Sequence, residues 1–181
     1  MLNFHYVTFF VILLWQKTKK RTVKKMNFNK WIQFHSNKEF ADKYRIFRLN
    51  EDEEICFFIQ YASRAYCSDY IMFTIAAAIS DRGKLPYNNN TVYKAYVNIN
   101  YDTGEASLSE NSVNPELRNH GIGSLGLEYI KDFCKSQNCK SISGQKRPQI
   151  PFDEEEMEAL THFYIKNGFQ QLPNDMIKYE F

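Results

Sequence analysis

Hydrophobic and polar positions alternate most cleanly between Val92 and Val113. That period of two predicts strands over Val92–Tyr101 and Glu105–Val113, closed into an antiparallel hairpin at Asp102-Thr103-Gly104. Past Val113 the period changes. Ile122, Leu125, Gly126, Tyr129, Ile130 and Phe133 recur at the three- and four-residue steps of one helix face. Cys139–Gly144 then predicts a short strand, and a right-handed strand–helix–strand crossover sets it parallel to Glu105–Val113. Asp153 with Glu156 three residues on reads as a capping box that opens a helix to about Asn167, which Gly168 ends. Phe169–Leu172 and Met176–Phe181 are the predicted closing strands.

The first half is less regular. Tyr44–Leu49 alternates and predicts a strand. Asn50 ahead of Asp52-Glu53-Glu54 supplies a cap and an acidic first turn, favouring a helix from about Asp52 toward Tyr66. The run Ile55–Ile59 fits a strand nearly as well. Tyr70–Ser80 is rich in β-branched residues but ends in three alanines, which leaves helix and strand both open. Asn29–Ser36 and Glu39–Tyr44 read as a short strand and turn, and Gly83–Asn90 as a loop.

Between the second clear strand and the long helix runs Val113-Asn114-Pro115-Glu116-Leu117-Arg118-Asn119-His120-Gly121-Ile122-Gly123-Ser124. Glycines let backbone N–H groups approach an anion, and the helix start adds free N–H groups and the positive end of its dipole. A turn that merely packs is one reading. A dinucleotide fingerprint is another, since Gly121 to Gly126 spells G-x-G-x-x-G. That unit also needs a carboxylate about 20 residues later. Ser141-Ile142-Ser143-Gly144 offers none, and Gly121–Phe181 is too short for the rest of a doubly wound sheet.

A third reading rests on resemblance. Arg118-x-x-Gly121-x-Gly123, preceded by Val113-x-Pro115-Glu116, resembles the acyl-CoA-binding motif of the GNAT family of N-acetyltransferases. Phe163-Tyr164-Ile165-Lys166-Asn167-Gly168-Phe169 is similar to the family's helix-end signature. The resemblance covers about residues 90–181. It implies an α/β fold with a mixed central sheet flanked by helices, and helices over the acceptor pocket drawn from residues 50–90. It also implies acetyl-CoA as co-substrate, direct transfer to an amine, and no metal. The implied cofactor contacts are Val113, Arg118, Asn119, His120, Gly121, Ile122, Gly123 and Ser124. Val113 would lie where two splayed parallel strands admit the pantetheine arm. At Tyr164 many members keep a tyrosine near the cofactor sulfur. A phenol there suits a general acid for the leaving thiolate, and a core aromatic beside Phe163 and Phe169 is the equal alternative. Seven residues earlier, where members often carry an asparagine, stands Met157. A non-catalytic acyl-CoA-binding or regulatory domain is the competing function.

Glu110, on the strand lining the cleft, is the carboxylate placed to take the amine's proton. Strand alternation puts it on the face of Leu108, a costly position unless it reaches the cleft. Glu105 is the other carboxylate on that strand. His120 and His162 read as loop and helix-surface residues.

Length and charge refine this. At 181 residues the chain fits one domain, taken as residues 26–181, with an extension over 1–25. Net charge is +2, of which residues 1–25 carry +6, leaving −4 on the remainder. A mildly acidic domain argues against nucleic acid and suits a cationic partner, a small-molecule or peptide amine. Cys56, Cys67, Cys134 and Cys139 form no C-x-x-C pair, so they read as reduced thiols of a cytoplasmic protein. The oligomeric state stays open, a homodimer among the options. Leu2–Trp15 is apolar and then basic. It is short for a spanning helix, and its charges follow the apolar run instead of preceding it as in a secretory signal. It reads as an upstream start ahead of Met26, or as an arm touching anionic headgroups if retained.

Overall fold

The strand Glu105–Val113 lies inside a mixed eight-stranded sheet. The computed structural model describes residues 28–64, 69–81, 92–148 and 153–181. The expectations for residues 1–25, for Gly83–Asn90 and for part of Gln145–Phe152 lie outside them. In chain order the elements are α1 (Phe28–His35), β1 (Tyr44–Arg48), β2 (Glu53–Arg64), β3 (Tyr70–Asp81), β4 (Tyr93–Asn100) and β5 (Glu105–Val113). Then follow α2 (Ile122–Ser136), β6 (Ser141–Gln145), α3 (Glu154–Lys166), β7 (Gln170–Gln171) and β8 (Met176–Glu180). The sheet order is β1-β2-β3-β4-β5-β6-β8-β7. Each neighbouring pair is antiparallel except β5 with β6, the crossover expected around α2.

The helix expected from Asp52 is a strand instead. Asn50 does cap, but as a turn: its Oδ1 accepts from the N–H groups of Asp52 and Glu53, both at 2.9 Å, and so closes the β1–β2 hairpin. The unbroken apolar run Ile55–Ile59 arises because β2 is covered on both faces. Ile55, Phe57 and Ile59 face the main core, while Cys56 and Phe58 face α1. The same division settles β3. Ala77 joins the main core, and Ala76 and Ala78 lie beneath α1, where small side chains let the helix sit close. Asn29–Ser36 is helical because Phe28 and Ile32, one turn apart, both bury against that patch. Glu39–Tyr44 contains a short 3₁₀ turn at Lys38–Phe40.

α2 covers the other face. Ile122, Leu127, Tyr129, Ile130, Phe133 and Cys134 seal against β2 to β6, and Arg45 of β1 bridges to Glu128 at 2.8 Å and to Asp132. One irregularity positions the site. β4 and β5 shift register between Tyr96 and Val97: Val97 pairs with Leu108 and Tyr96 with Glu110, leaving Ser109 as an extra residue. This bulge reverses which face the following β5 residues present.

Candidate active site

β5 and β6 pair only from Glu105↔Ser141 to Leu108↔Gly144. β5 continues five residues further to Val113, so its edge toward β6 is open there. At the end of that free edge the chain makes the short turn Pro115–Leu117, capped by Asn114, and enters α2. Asn119 (φ 65°) and Gly121 (φ 79°) are both left-handed, on either side of His120. Alternating handedness of this kind curls a loop so that successive amides face inward. Gly121 tolerates its φ because it lacks a Cβ. It precedes a helix whose first intrahelical acceptor bond runs from Leu125 N–H to Gly121 O at 3.1 Å. The N–H groups of the first turn are therefore available to an anion.

These amides open on a cleft of about 520 Å³. Of the residues expected to contact a cofactor, Val113, Arg118, Asn119, Gly121, Ile122, Gly123 and Ser124 all line this cleft. His120 does not. Its Nδ1 lies 2.8 Å from Arg118 O, and it lines a neighbouring depression with Asn50, Glu53 and Glu116. The far wall belongs to α3: Glu156, Ala159, Leu160, Phe163 and Lys166. Arg147, just past β6, adds a cation. Arg118, Arg147 and Lys166 against Glu156 make the cleft cationic in sum, as a polyanionic ligand requires. Met157 lines a different pocket beside Lys146, so the position that departs from the family pattern is not on this wall.

Three contacts hold α3 in place. Asn167 Nδ2 donates to Ser124 Oγ (3.2 Å), and Lys131 Nζ donates to Asn167 O (3.1 Å). Lys146, its side chain 1% exposed, donates to Thr161 Oγ1 at 2.6 Å and lies 3.9 Å from Asp175. Tyr164, 7% exposed, packs between Phe163 and Phe169 behind the cleft wall. It is a core aromatic whose hydroxyl touches the cleft lining through one neighbour. That neighbour is Asn111, whose Nδ2 donates to Tyr164 Oη at 3.5 Å. Burial pushes the Tyr164 phenol above its ordinary value, and the Asn111 bond pulls it partly back.

Glu110 is not on the face of Leu108. The Ser109 bulge turns it outward, where it is exposed, accepts from Ser112 Oγ at 3.0 Å and stands opposite Tyr96. The same reversal carries Asn111 and Val113 inward to the cleft. Asn111, Arg147 and Lys166 were missed from sequence. A bulge, unlike a period, leaves no mark in a single chain, and Arg147 and Lys166 reach the cleft only through tertiary packing.

The acetyltransferase (GNAT) family profile matches residues 27–169 of the chain. No curated protein matches it. Among solved structures it is similar to a GNAT-family acetyltransferase from Staphylococcus aureus (20% identity, 60% of this chain and 67% of that one, TM-score 0.45). It is also similar to PaiA N-acetyltransferase from Thermoplasma acidophilum in complex with coenzyme A (16%, 61% and 61%, 0.45). A third is spermidine N-acetyltransferase from Vibrio cholerae in complex with CoA and spermine (14%, 60% and 65%, 0.47).

Proposed function

We propose that this chain, which belongs to the acetyltransferase (GNAT) family, is an N-acetyltransferase that moves the acetyl group of acetyl-CoA directly to an amine. One observation carries the reading: a cationic, amide-lined helix start opens onto the unpaired edge of β5 over Ser109–Val113. The amides of Gly121 to Ser124, with Arg118, would hold the pyrophosphate, and Arg147 and Lys166 would balance further charge on the ligand. The free β5 edge, with Val113 at its end, would pair the extended pantetheine arm and aim a backbone N–H at the thioester carbonyl. Amides fixed in advance in this way stabilise a developing oxyanion.

The two candidate proton-transfer groups lie on opposite faces of β5. Tyr164 is on the cleft side, and its raised pKa keeps it protonated at neutral pH, the state a general acid needs. Glu110 is on the outer face, so the amine would approach from there and lose its proton to Glu110 directly or through water. A nucleophilic cysteine is not part of this scheme. Cys134 is buried on the inner face of α2 and hydrogen-bonded to Cys139, and burial pushes the Cys56 thiol far up. The acceptor is a small-molecule or peptide amine. The free thiols support a reducing, cytoplasmic setting. No helix among the described residues is long and apolar enough to cross a membrane.

The test is the thermal midpoint of the full chain with and without millimolar acetyl-CoA. Ligand at 100 times its dissociation constant adds about 2.7 kcal/mol, a rise of several degrees at this size. Gly123→Asp should abolish the rise, since a side chain there meets the Phe163 ring at 3.2 Å and brings negative charge to the anion seat. No rise in the unaltered chain sinks the proposal. A rise without release of CoA thiol in the presence of amines would select the non-catalytic acyl-CoA-binding alternative.

A further inference from the structure

We infer that Asn111 is a positioning residue: its side-chain amide holds the Tyr164 hydroxyl and couples that buried phenol to the cleft that Asn111 lines. The inference rests on the reading of Tyr164 as the general acid. A phenol oxygen carries one proton and accepts through its lone pairs. Asn111 Nδ2–H donates to that oxygen at 3.5 Å, so it stabilises the phenolate left when Tyr164 gives up its proton. Asn111 lines the cleft and Tyr164 does not, which makes Asn111 the link between the buried phenol and the ligand space.

The other half of the asparagine argues that packing is not its purpose. Asn111 Oδ1 is buried and has no hydrogen-bond partner among the described residues. A buried bare carbonyl costs stability that an apolar side chain of similar size would not, so as a structural residue Asn111 is a poor choice. Tyr93 Oη nearby is in the same condition. Tyr93 pairs with Val113, and Ala95 with Asn111, so the two side chains are diagonal neighbours on the inner face. Burial and the proximity of Tyr164 push the Tyr93 phenol well up, so it stays a neutral neighbour. The groups around Tyr164 are then Tyr93 from β4, Asn111 from β5, and Phe163 and Phe169 from its own helix and the turn after it. Arg118, Arg147, Glu156 and Lys166 are the charges lining the cleft beyond.

The experiment compares Asn111→Leu, the smaller Asn111→Ser, Tyr164→Phe and the double variant Asn111→Leu/Tyr164→Phe in the full chain. Release of CoA thiol from acetyl-CoA is followed with a polyamine and a lysine peptide as probe acceptors, beside thermal midpoint and acetyl-CoA affinity. The Tyr164 hydroxyl is titrated by NMR of labelled tyrosine. The expected result is at least a tenfold fall in kcat for both Asn111 variants, with affinity unchanged and the midpoint of Asn111→Leu unchanged or raised. The Tyr164 titration should move to higher pH, and the double variant should be no slower than Tyr164→Phe. An Asn111→Leu protein that loses stability in step with rate, or a Tyr164 titration that does not move, overturns the inference. So does full activity of both Asn111 variants where Tyr164→Phe is impaired. An unimpaired Tyr164→Phe instead overturns the reading beneath it.

Discussion

The ring of Tyr93 reaches the backbone of α2 at Gly126, and this contact shows how tightly single residues fix the site. A Cβ built on Gly126 would lie 2.4 Å from Tyr93 Cζ, with the ring 1% exposed. Two effects compete in Gly126→Ala. Alanine is the better helix residue by about 1 kcal/mol, while overpacking a closed core costs about 1–3 kcal/mol. Clash wins here because a ring sealed between sheet and helix has no solvent side to retreat to. The expected outcome is a net loss of about 1–2 kcal/mol, read as a lower urea midpoint with unchanged slope. A gain in stability would mean that the α2–β4 approach is looser than described.

At the scale of elements, α3 is the least self-sufficient part of the site. It carries a full cleft wall yet has one buried residue, Tyr164, so burial of an apolar stripe contributes little to holding it. Its start depends on Asp153, whose Oδ1 accepts from Glu156 N–H at 2.9 Å, with Glu154, Glu155 and Glu156 favoured by the helix dipole. Asp153→Ala should cost about 1 kcal/mol, a few degrees in midpoint, while Asp153→Asn should stay within a few tenths. Calorimetry of the two variants separates a working cap from a bystander. This cap, like the β4–β5 hairpin and the glycine loop, could be read from spacing alone because its partners are close in sequence. What escaped reading depended on distant partners. Ile55–Ile59 is apolar at every position because two layers sandwich it, which periodicity cannot distinguish from a buried helix. Glu110 and Asn111 exchanged faces through one extra residue at Ser109, and strict alternation could not foresee that. Cleft-lining residues clustered in one loop were legible, and Asn111, Arg147 and Lys166, which reach the same cleft from β5, the chain after β6 and α3, were not.

At the scale of the whole molecule, the aromatic content that fills the core also sets its response to alkali. Burial raises the ionisation of Cys56, Tyr93, Tyr129 and Tyr164 above ordinary values, although Asn111 and, for Cys56, a backbone bond oppose it slightly. Tyr129 also donates to Lys43 O, tying α2 to the chain before β1. The bond between Cys134 and Cys139 pushes Cys134 up, with burial adding to it, and pulls Cys139 down against burial. For the other four the folded state holds the proton after the unfolded chain has lost it. Their contribution is complete below the unfolded values, near 8.5 for cysteine and 10 for tyrosine, and falls as pH rises beyond them. Each group costs about 1.4 kcal/mol per pH unit there, so the four together approach 5 kcal/mol per unit above about pH 10. Against a total stability on the order of 5–15 kcal/mol, that slope unfolds the protein within about one to three units. Thermal midpoints should therefore be flat from neutrality to about pH 8, decline gently to about pH 10 and then drop steeply, with ionisation of Tyr93, Tyr129 and Tyr164, followed by NMR of labelled tyrosine, accompanying loss of secondary structure in one transition. A midpoint held constant to pH 11, or ionisation of Tyr93, Tyr129 and Tyr164 while the fold persists, would mean that these hydroxyls are open to solvent and that the core is packed differently.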